Sequence, residues 1–174
     1  MSRGVQLCGF ALNDERKLAS SEEATMKVRE IMSSDPVCCL PSDSAQAVAA
    51  ILRDRNIGSL PVVADKETNK LLGMITDRDI CCSIVADGLD IRKTTISKFV
   101  SANPVTCRDG ENVENVERMQ EHQVRRVPVV DGDGRCIGIV SQADLALKEK
   151  RPEKVSKTVT EISKPQGQKS LIAA

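Results

Sequence analysis

Gly73-Met74-Ile75-Thr76-Asp77-Arg78-Asp79-Ile80 occurs a second time in this chain, as Gly138-Ile139-Val140-Ser141-Gln142-Ala143-Asp144-Leu145. Each copy reads glycine, two apolar residues, a hydroxyl, two variable residues, aspartate and an apolar residue. The apolar run fits the end of a buried strand, and the hydroxyl opens an apolar pattern of helical period, so each copy predicts a strand-to-helix turn. The first N–H groups of a helix have no partner within it and, with the helix dipole, favour an anion. An aspartate one turn in can accept hydrogen bonds from two hydroxyls of a sugar, while the Thr or Ser hydroxyl bonds ribose or phosphate. The same spacing also fits a capping box, in which the pair satisfies the helix start and binds nothing. Two copies in register favour the ligand over the bare cap.

Working outward, two further landmarks repeat in the same order. Val28-Arg29-Glu30-Ile31-Met32-Ser33-Ser34-Asp35-Pro36-Val37 matches Ile96-Ser97-Lys98-Phe99-Val100-Ser101-Ala102-Asn103-Pro104-Val105. Ile57-Gly58-Ser59-Leu60-Pro61-Val62-Val63 matches Val124-Arg125-Arg126-Val127-Pro128-Val129-Val130. The three offsets run from 65 to 68 residues, longer than usual solenoid units. Two pseudo-equivalent modules are expected, at 26–94 and 95–148, preceded by an arm at 1–25 and followed by a tail at 149–174.

Within each module the pattern is α+β, written β-α-β-β-α behind a short leading helix. In the first module the leading helix is Val28 to Met32, ended by Asp35-Pro36, and Val37 to Leu40 is a strand. Ser42, Asp43 or Ser44 caps a helix with Ala47, Val48, Ile51 and Leu52 on one face. Ser59 to Val63 and Leu71 to Ile75 form a hairpin, and Thr76 opens a helix with Ile80, Ile84 and Val85 inward, stopped at Asp87-Gly88. In the second module Ile96 to Val100 is the leading helix, Pro104 to Cys107 the strand, and Val113, Val116 and Met119 the inner face of the next helix. Val127 to Val130 and Cys136 to Val140 flank the turn Asp131-Gly132-Asp133-Gly134, whose glycines suit positive φ. Ser141 opens the last helix.

At 174 residues a compact fold buries roughly 70% of its extended surface, enough for a core. Formal net charge is zero, so no global field draws the chain to nucleic acid or membrane. Phe10 and Phe99 are its only aromatic rings, which leaves no RNA stacking platform. No run approaches the roughly 20 apolar residues of a membrane span, and the start lacks the order of a secretory signal. A cytoplasmic location is expected. The stretch from Lys148 to Lys169 carries seven basic against three acidic residues and reads as a solvated tail.

The cysteines, Cys8, Cys38, Cys39, Cys81, Cys82, Cys107 and Cys136, number seven. Two adjacent pairs and a single histidine, His122, do not fit zinc spacing, and an odd count argues against a disulfide framework. Buried free thiols are the plain account, and a redox or metal role the sharp one. If 37–40 is a strand, Cys38 and Cys39 face opposite sides. His122 is expected exposed, since no nucleophile or carboxylate landmark accompanies it.

The Leu-Pro-Val and Gly-x-x-Thr-x-x-Asp landmarks, each present twice over 28–148, resemble tandem cystathionine-beta-synthase domain proteins, the CBS pair, of the small stand-alone bacterial type. That resemblance implies two quasi-equivalent clefts between the repeats that bind adenosine-containing ligands such as AMP, ADP or ATP. It places Thr76 and Asp79 on the ribose in one cleft and Ser141 and Asp144 in the other. It implies phosphate contacts in the opposite repeat's cleft from the basic residues just before Pro-Val, here Arg125 and Arg126 in the second module, whereas the first module has Gly58 and Ser59 at those positions. Arg78 is a further phosphate position, matched by Ala143. Adenine would lie near Val37, Met74, Val105 and Ile139. A homodimer is expected, with the helices at 44–54 and 112–122 as candidate surfaces, and a separate protein as the regulated partner.

No nucleophile–base pair, metal-ligand cluster or phosphate loop is present, so no enzyme chemistry is expected. The expected role is ligand sensing, in which a bound nucleotide biases a partner or dimer surface. The rivals are an interaction module with vestigial clefts and a cysteine-based redox or metal sensor.

Overall fold

The computed structural model describes residues 26–113 and 124–148, with positions 119, 122, 156, 159, 160 and 163 besides. The N-terminal arm, most of the helix expected at 112–122 with its Val116, and most of the tail lie outside the described residues. The elements are α1 (Val28–Ile31), β1 (Ser33–Ser34), α2 (Ala45–Asp54), β2 (Ser59–Val63) and β3 (Leu71–Thr76). They continue with α3 (Asp77–Asp79), running on as a π-helix (Ile80–Val85), a 3-10 turn (Ile96–Lys98), β4 (Ser101–Ala102), β5 (Cys107–Arg108), β6 (Arg126–Val130), β7 (Cys136–Ser141) and α4 (Gln142–Lys148).

Two sheets result, β2-β3-β4 and β1-β7-β6-β5. The hairpins β2/β3 and β6/β7 are antiparallel and carry the same slip in register, between Val62 and Val63 and between Val129 and Val130. The leading segments are exchanged. β1, from the start of the first repeat, pairs with β7 of the second, and β4, from the start of the second, pairs with β3 of the first. The cores follow the same exchange: Val28 and Ile31 pack with Val127, Val129, Val140 and Leu145. Ile96 packs with Val48, Leu60, Ile75 and Ile84. The hairpins also touch where β3 and β7 begin, through Leu71 N–H to the Gly134 carbonyl (3.0 Å) and Cys136 N–H to the Asn69 carbonyl (2.9 Å).

The glycine that opens each duplicated motif is explained by this exchange. A Cβ on Gly73 would stand 2.4 Å from Val100 Cγ1 and 2.5 Å from the Ser101 carbonyl oxygen; one on Gly138 would stand 2.6 Å from Met32 Sδ. Only a residue without a side chain lets the exchanged strand come this close.

Local chemistry accounts for the helix ends. The Ser44 hydroxyl accepts from Ala47 N–H at 3.2 Å. At the other end Asn56 is left-handed, with φ of 52°, which Asn tolerates better than most residues. Ile57 N–H returns to the Leu52 carbonyl and Asn56 N–H to that of Arg53, a Schellman closure. Asp35 and Asn103, each preceding a proline at matched positions, have φ of 50° and 53°.

Four expectations are corrected. Ala47 is exposed and Ala45 takes its place beside Val48 and Leu52, because the inward stripe runs at i, i+3 and i+7 from Ala45, which leaves Ala47 on the outer side. Val85 is 54% exposed, whereas Ile80 and Ile84 are buried; the wider π turn carries Val85 off the core side. The stretch 37–40 makes a single parallel bridge, Cys39 to Val62. Pro36 and Pro41 bracket it, and the Leu40 N–H is taken by Asp43 Oδ2 at 2.8 Å. Of the turn glycines at 132 and 134, Gly134 alone has positive φ, 80°.

Gly73→Ala should cost about 1–3 kcal/mol, because its Cβ meets main chain. Gly138→Ala should cost less, because Met32 is a flexible side chain. Urea unfolding of the two variants checks the order.

Candidate functional site

The duplicated motif occupies the same corner in both sheets. Thr76 ends β3, and its Oγ1 accepts the Asp79 N–H at 3.1 Å; Asp79 Oδ2 accepts the Thr76 N–H at 2.9 Å and its hydroxyl at 2.7 Å. Ser141 ends β7 and does the same with Asp144: Oδ2 accepts the Ser141 N–H at 2.8 Å and its hydroxyl, and Oγ accepts the Asp144 N–H at 3.2 Å. The capping box is therefore present in both copies. It occupies Oδ2 of each carboxylate, and the two Oδ1 atoms differ. Asp144 Oδ1 lies 3.7 Å from Lys148 Nζ, an ammonium that also donates to the Ile31 carbonyl at 2.8 Å. Among the described residues no hydrogen bond reaches Asp79 Oδ1.

Directly opposed residues of an antiparallel pair share a face. Ser59 opposes Thr76 and Pro61 opposes Met74, so one face of the first sheet carries Ser59, Thr76 and Met74. Ser59 is buried at 6% exposure, and its Oγ has no hydrogen-bond partner among the described residues. Leaving a buried hydroxyl unpaired is unfavourable, which marks this face as one suited to a polar guest. In the second sheet Arg126 opposes Ser141 and Pro128 opposes Ile139.

Main-chain bonds fix each motif helix to the residue before the Pro-Val strand. Asp77 N–H donates to the Gly58 carbonyl at 3.1 Å and Gln142 N–H to the Arg125 carbonyl at 3.0 Å. The side chains break that symmetry. Around Gly58, Arg126 Nη1 and Asp77 Oδ2 each lie 3.3 Å from where a Cβ would stand. Arg126 thus rises on the face of Ser141 and ends beside the first repeat's motif, in the corner the resemblance assigned to a phosphate-binding cation. Asp77 shares that corner, so a cation and an anion stand on either side of Gly58 without a direct ion pair among the described residues.

The remaining candidates are more dispersed. Arg125 and Arg78 are exposed. Met74 and Ile139 are half-buried on the faces of Thr76 and Ser141; Val37 is 37% exposed, and Val105 packs against the second core. His122 is exposed. Beside Gly58 and Asp77, a groove of about 500 Å³ runs between α2 and the π-helix, walled by Ala49, Leu52, Ile57, Ile80 and Val85. Among the described residues no group of three His, Cys, Asp or Glu side chains is placed to hold a metal ion. Sequence reasoning missed Asp77, Lys148 and the orphaned hydroxyl of Ser59. The usable signals were an acid inside the motif, a lysine four residues after Asp144, and a hydroxyl where the second repeat has arginine.

Comparison with known proteins identifies the architecture. The CBS domain family profile matches residues 28–86 and 96–149. The chain belongs to the CBS domain family. The CBS pair is 33% identical over 137 residues to CBS domain-containing protein YhcV of Bacillus subtilis, covering 78% of this chain and 94% of that protein. It is 36% identical over 119 residues to hypoxic response protein 1 of Mycobacterium tuberculosis, covering 68% and 81%. Among solved structures it resembles hypoxic response protein I with two coordinated zinc ions, at 34% identity and a TM-score of 0.64 over 71% of this chain and 98% of that one. It also resembles the CBS domain pair of MJ0100 in complex with 5′-methylthioadenosine and S-adenosyl-L-methionine, at 33% identity and a TM-score of 0.62 over 70% and 94%. With the inosine-5′-monophosphate dehydrogenase of Methanocaldococcus jannaschii the match, 32% identical, spans 25% of the enzyme.

Thr76→Ala and Ser141→Ala each remove an N-cap and should each cost about 1 kcal/mol, a fall in Tm of roughly 2–4 °C. Differential scanning calorimetry without ligand checks this.

Proposed function

We propose that this CBS pair is a regulatory sensor of adenosine-containing ligands of the AMP, ADP and ATP class, with no catalytic chemistry of its own, and that the cleft at Thr76 and Asp79 is its principal site. The observation that carries the proposal is Arg126 of the second repeat standing beside Gly58 and Asp77 of the first. Asp79 Oδ1 and the Thr76 hydroxyl oxygen would take the ribose, and the Ser59 hydroxyl gains a polar neighbour. Arg126, aided by Arg125 and Arg78, would face the phosphates, with Met74 and Val37 toward adenine. At Ser141 and Asp144 the ribose must compete with Lys148 for Asp144 Oδ1, and adenine would meet Ile139 and Val105. The second cleft is therefore the weaker. The relative crystallised with methylthioadenosine and S-adenosylmethionine supports the ligand class.

The signal travels by population shift: a ligand touching both repeats favours one relative placement of them. The groove along α2 and the π-helix, with Val85 exposed at its rim, is the surface offered to a second copy in a homodimer, and a separate protein in the cytoplasm reads the result. One observation favours a second reading, an interaction module with vestigial clefts: both aspartates are already engaged by their own helix starts.

A thermal-shift panel of AMP, ADP, ATP and S-adenosylmethionine separates the two. A ligand at 100 times its Kd adds about 2.7 kcal/mol, which is about 5–11 °C at this size; no shift with any of them leaves the interaction module. Calorimetry of Arg126→Ala should show ADP and ATP binding weakened roughly tenfold to a hundredfold and adenosine unaffected. Asp77→Asn, which removes a negative charge from the corner where phosphate would sit, should strengthen binding of the same nucleotides.

A further inference from the structure

Residues 35–39 form a strap that ties the two sheets together. At one end the Asp35 N–H donates to the Ile137 carbonyl of β7 at 3.2 Å; at the other the Cys39 N–H donates to the Pro61 carbonyl of β2 at 3.0 Å, and Val63 N–H returns to the Cys39 carbonyl at 2.9 Å. The register of β1 on β7, Ser33 opposite Ile139 and Ser34 opposite Gly138, continues through Asp35 to bring Pro36 alongside Cys136, and the Cys38 sulfur turns back onto the Pro36 carbonyl, so the two thiols are neighbours that perturb one another. Cys38 is half-buried and Cys136 is 5% exposed. Among the described residues the further contacts of both sulfurs are weak, Cys38 with the Pro36 carbonyl at 3.3 Å and Cys136 with that of Gly138 at 3.7 Å.

The environments of the three neighbouring thiols differ. A hydrogen bond from Cys136 favours the Cys38 thiolate and, against the opposing effect of burial, holds its pKa below the ordinary value. Cys136, beside that sulfur and buried, is pushed well up and keeps its proton. Cys39 is pushed up to about 12 by burial, with Asp43 and Cys38 adding to the effect. A partly accessible thiolate next to a second thiol is the arrangement that oxidises readily and resolves to a disulfide.

We propose that Cys38 and Cys136 are a peroxide-oxidisable pair whose disulfide staples the strap to the second sheet and fixes the two repeats relative to one another. The Cys38 thiolate attacks one oxygen of a hydroperoxide; the O–O bond breaks, and Cys38 becomes a sulfenic acid as the other oxygen leaves and takes a proton. The Cys136 sulfur then attacks Cys38 sulfur, the S–S bond forms, the S–O bond breaks and water departs with the Cys136 proton. Two thiols lose two electrons in all, and hydrogen peroxide becomes two waters. This step rests on the thiol contact and is independent of nucleotide binding.

The test uses the full chain, reduced, freed of reductant, treated with hydrogen peroxide, blocked with N-ethylmaleimide and digested with trypsin without reduction. The expected product joins the peptide beginning at Glu30, which holds Cys38 and Cys39, to the one beginning at Cys136. The link should persist in Cys39→Ala and vanish in Cys38→Ala, and in Cys136→Ala the Cys38 sulfenic acid should be captured by dimedone. Oxidised wild-type protein should melt at least about 4 °C higher, reversibly with dithiothreitol. A link that survives Cys38→Ala, or peroxide treatment that modifies the exposed Cys81 and Cys82 and leaves Cys38 free, overturns the proposal.

Discussion

The fold depends on the close packing of each exchanged leading segment against Gly73 and Gly138. There the strand that leads each repeat leaves its own module and adds to the edge of the other. Each core is completed by residues that precede the opposite repeat, Val28 and Ile31 in one case and Ile96 in the other. Neither repeat can therefore close its core alone. Two small sheets that would each be marginal for their size become one cooperative unit, and the clefts are held at the seam between them.

That seam is symmetric in main chain and asymmetric in side chains, which gives the site its chemistry. The Asp77-to-Gly58 and Gln142-to-Arg125 bonds are equivalent. Yet the first corner receives Arg126 and keeps one oxygen of Asp79 uncommitted, while the second sets Lys148 against Asp144. Duplication preserved the frame, and the two copies diverged at positions that the frame does not constrain. The capping boxes belong to the frame. They hold each aspartate in one orientation, and a fixed carboxylate is better placed to meet a diol than a mobile one.

Much of this was legible in sequence because it is local. The period of the apolar residues gave away α2 and the two hairpins, and Thr76-x-x-Asp79 announced its own cap. The exchange of leading segments was not legible: nothing in Ser33-Ser34 or Ser101-Ala102 names the strand it pairs with, and the reason for Gly73 and Gly138 is a contact distant in sequence. Val85 was misplaced because a helical count assumes 3.6 residues per turn, and the π-helix at Ile80–Val85 departs from it. Arg126 was placed beside the first motif by family resemblance, whereas Asp77 beside it was invisible without coordinates, since no spacing rule joins residue 77 to residue 126. The Cys38–Cys136 contact is of the same kind.

In the proposed function Arg126 is also the residue through which a ligand at one cleft would be felt beyond it. Its main chain starts β6 opposite Ser141, its guanidinium sits beside Asp77, and the carbonyl before it anchors the first turn of α4. In the proposed function, a phosphate in the first cleft would draw that guanidinium toward itself and would meet the negative charge of Asp77 nearby. Any arrangement that strengthens the new contact is favoured over one that keeps the old, by the difference in their interaction free energies and no more. Asp77 begins the helix that walls the groove against α2 and itself lines that groove, so a charge arriving beside it is felt at the groove's rim. Asp77 thus borders both the corner that receives Arg126 and the groove along α2, which is the shortest physical route between the two in the proposed function.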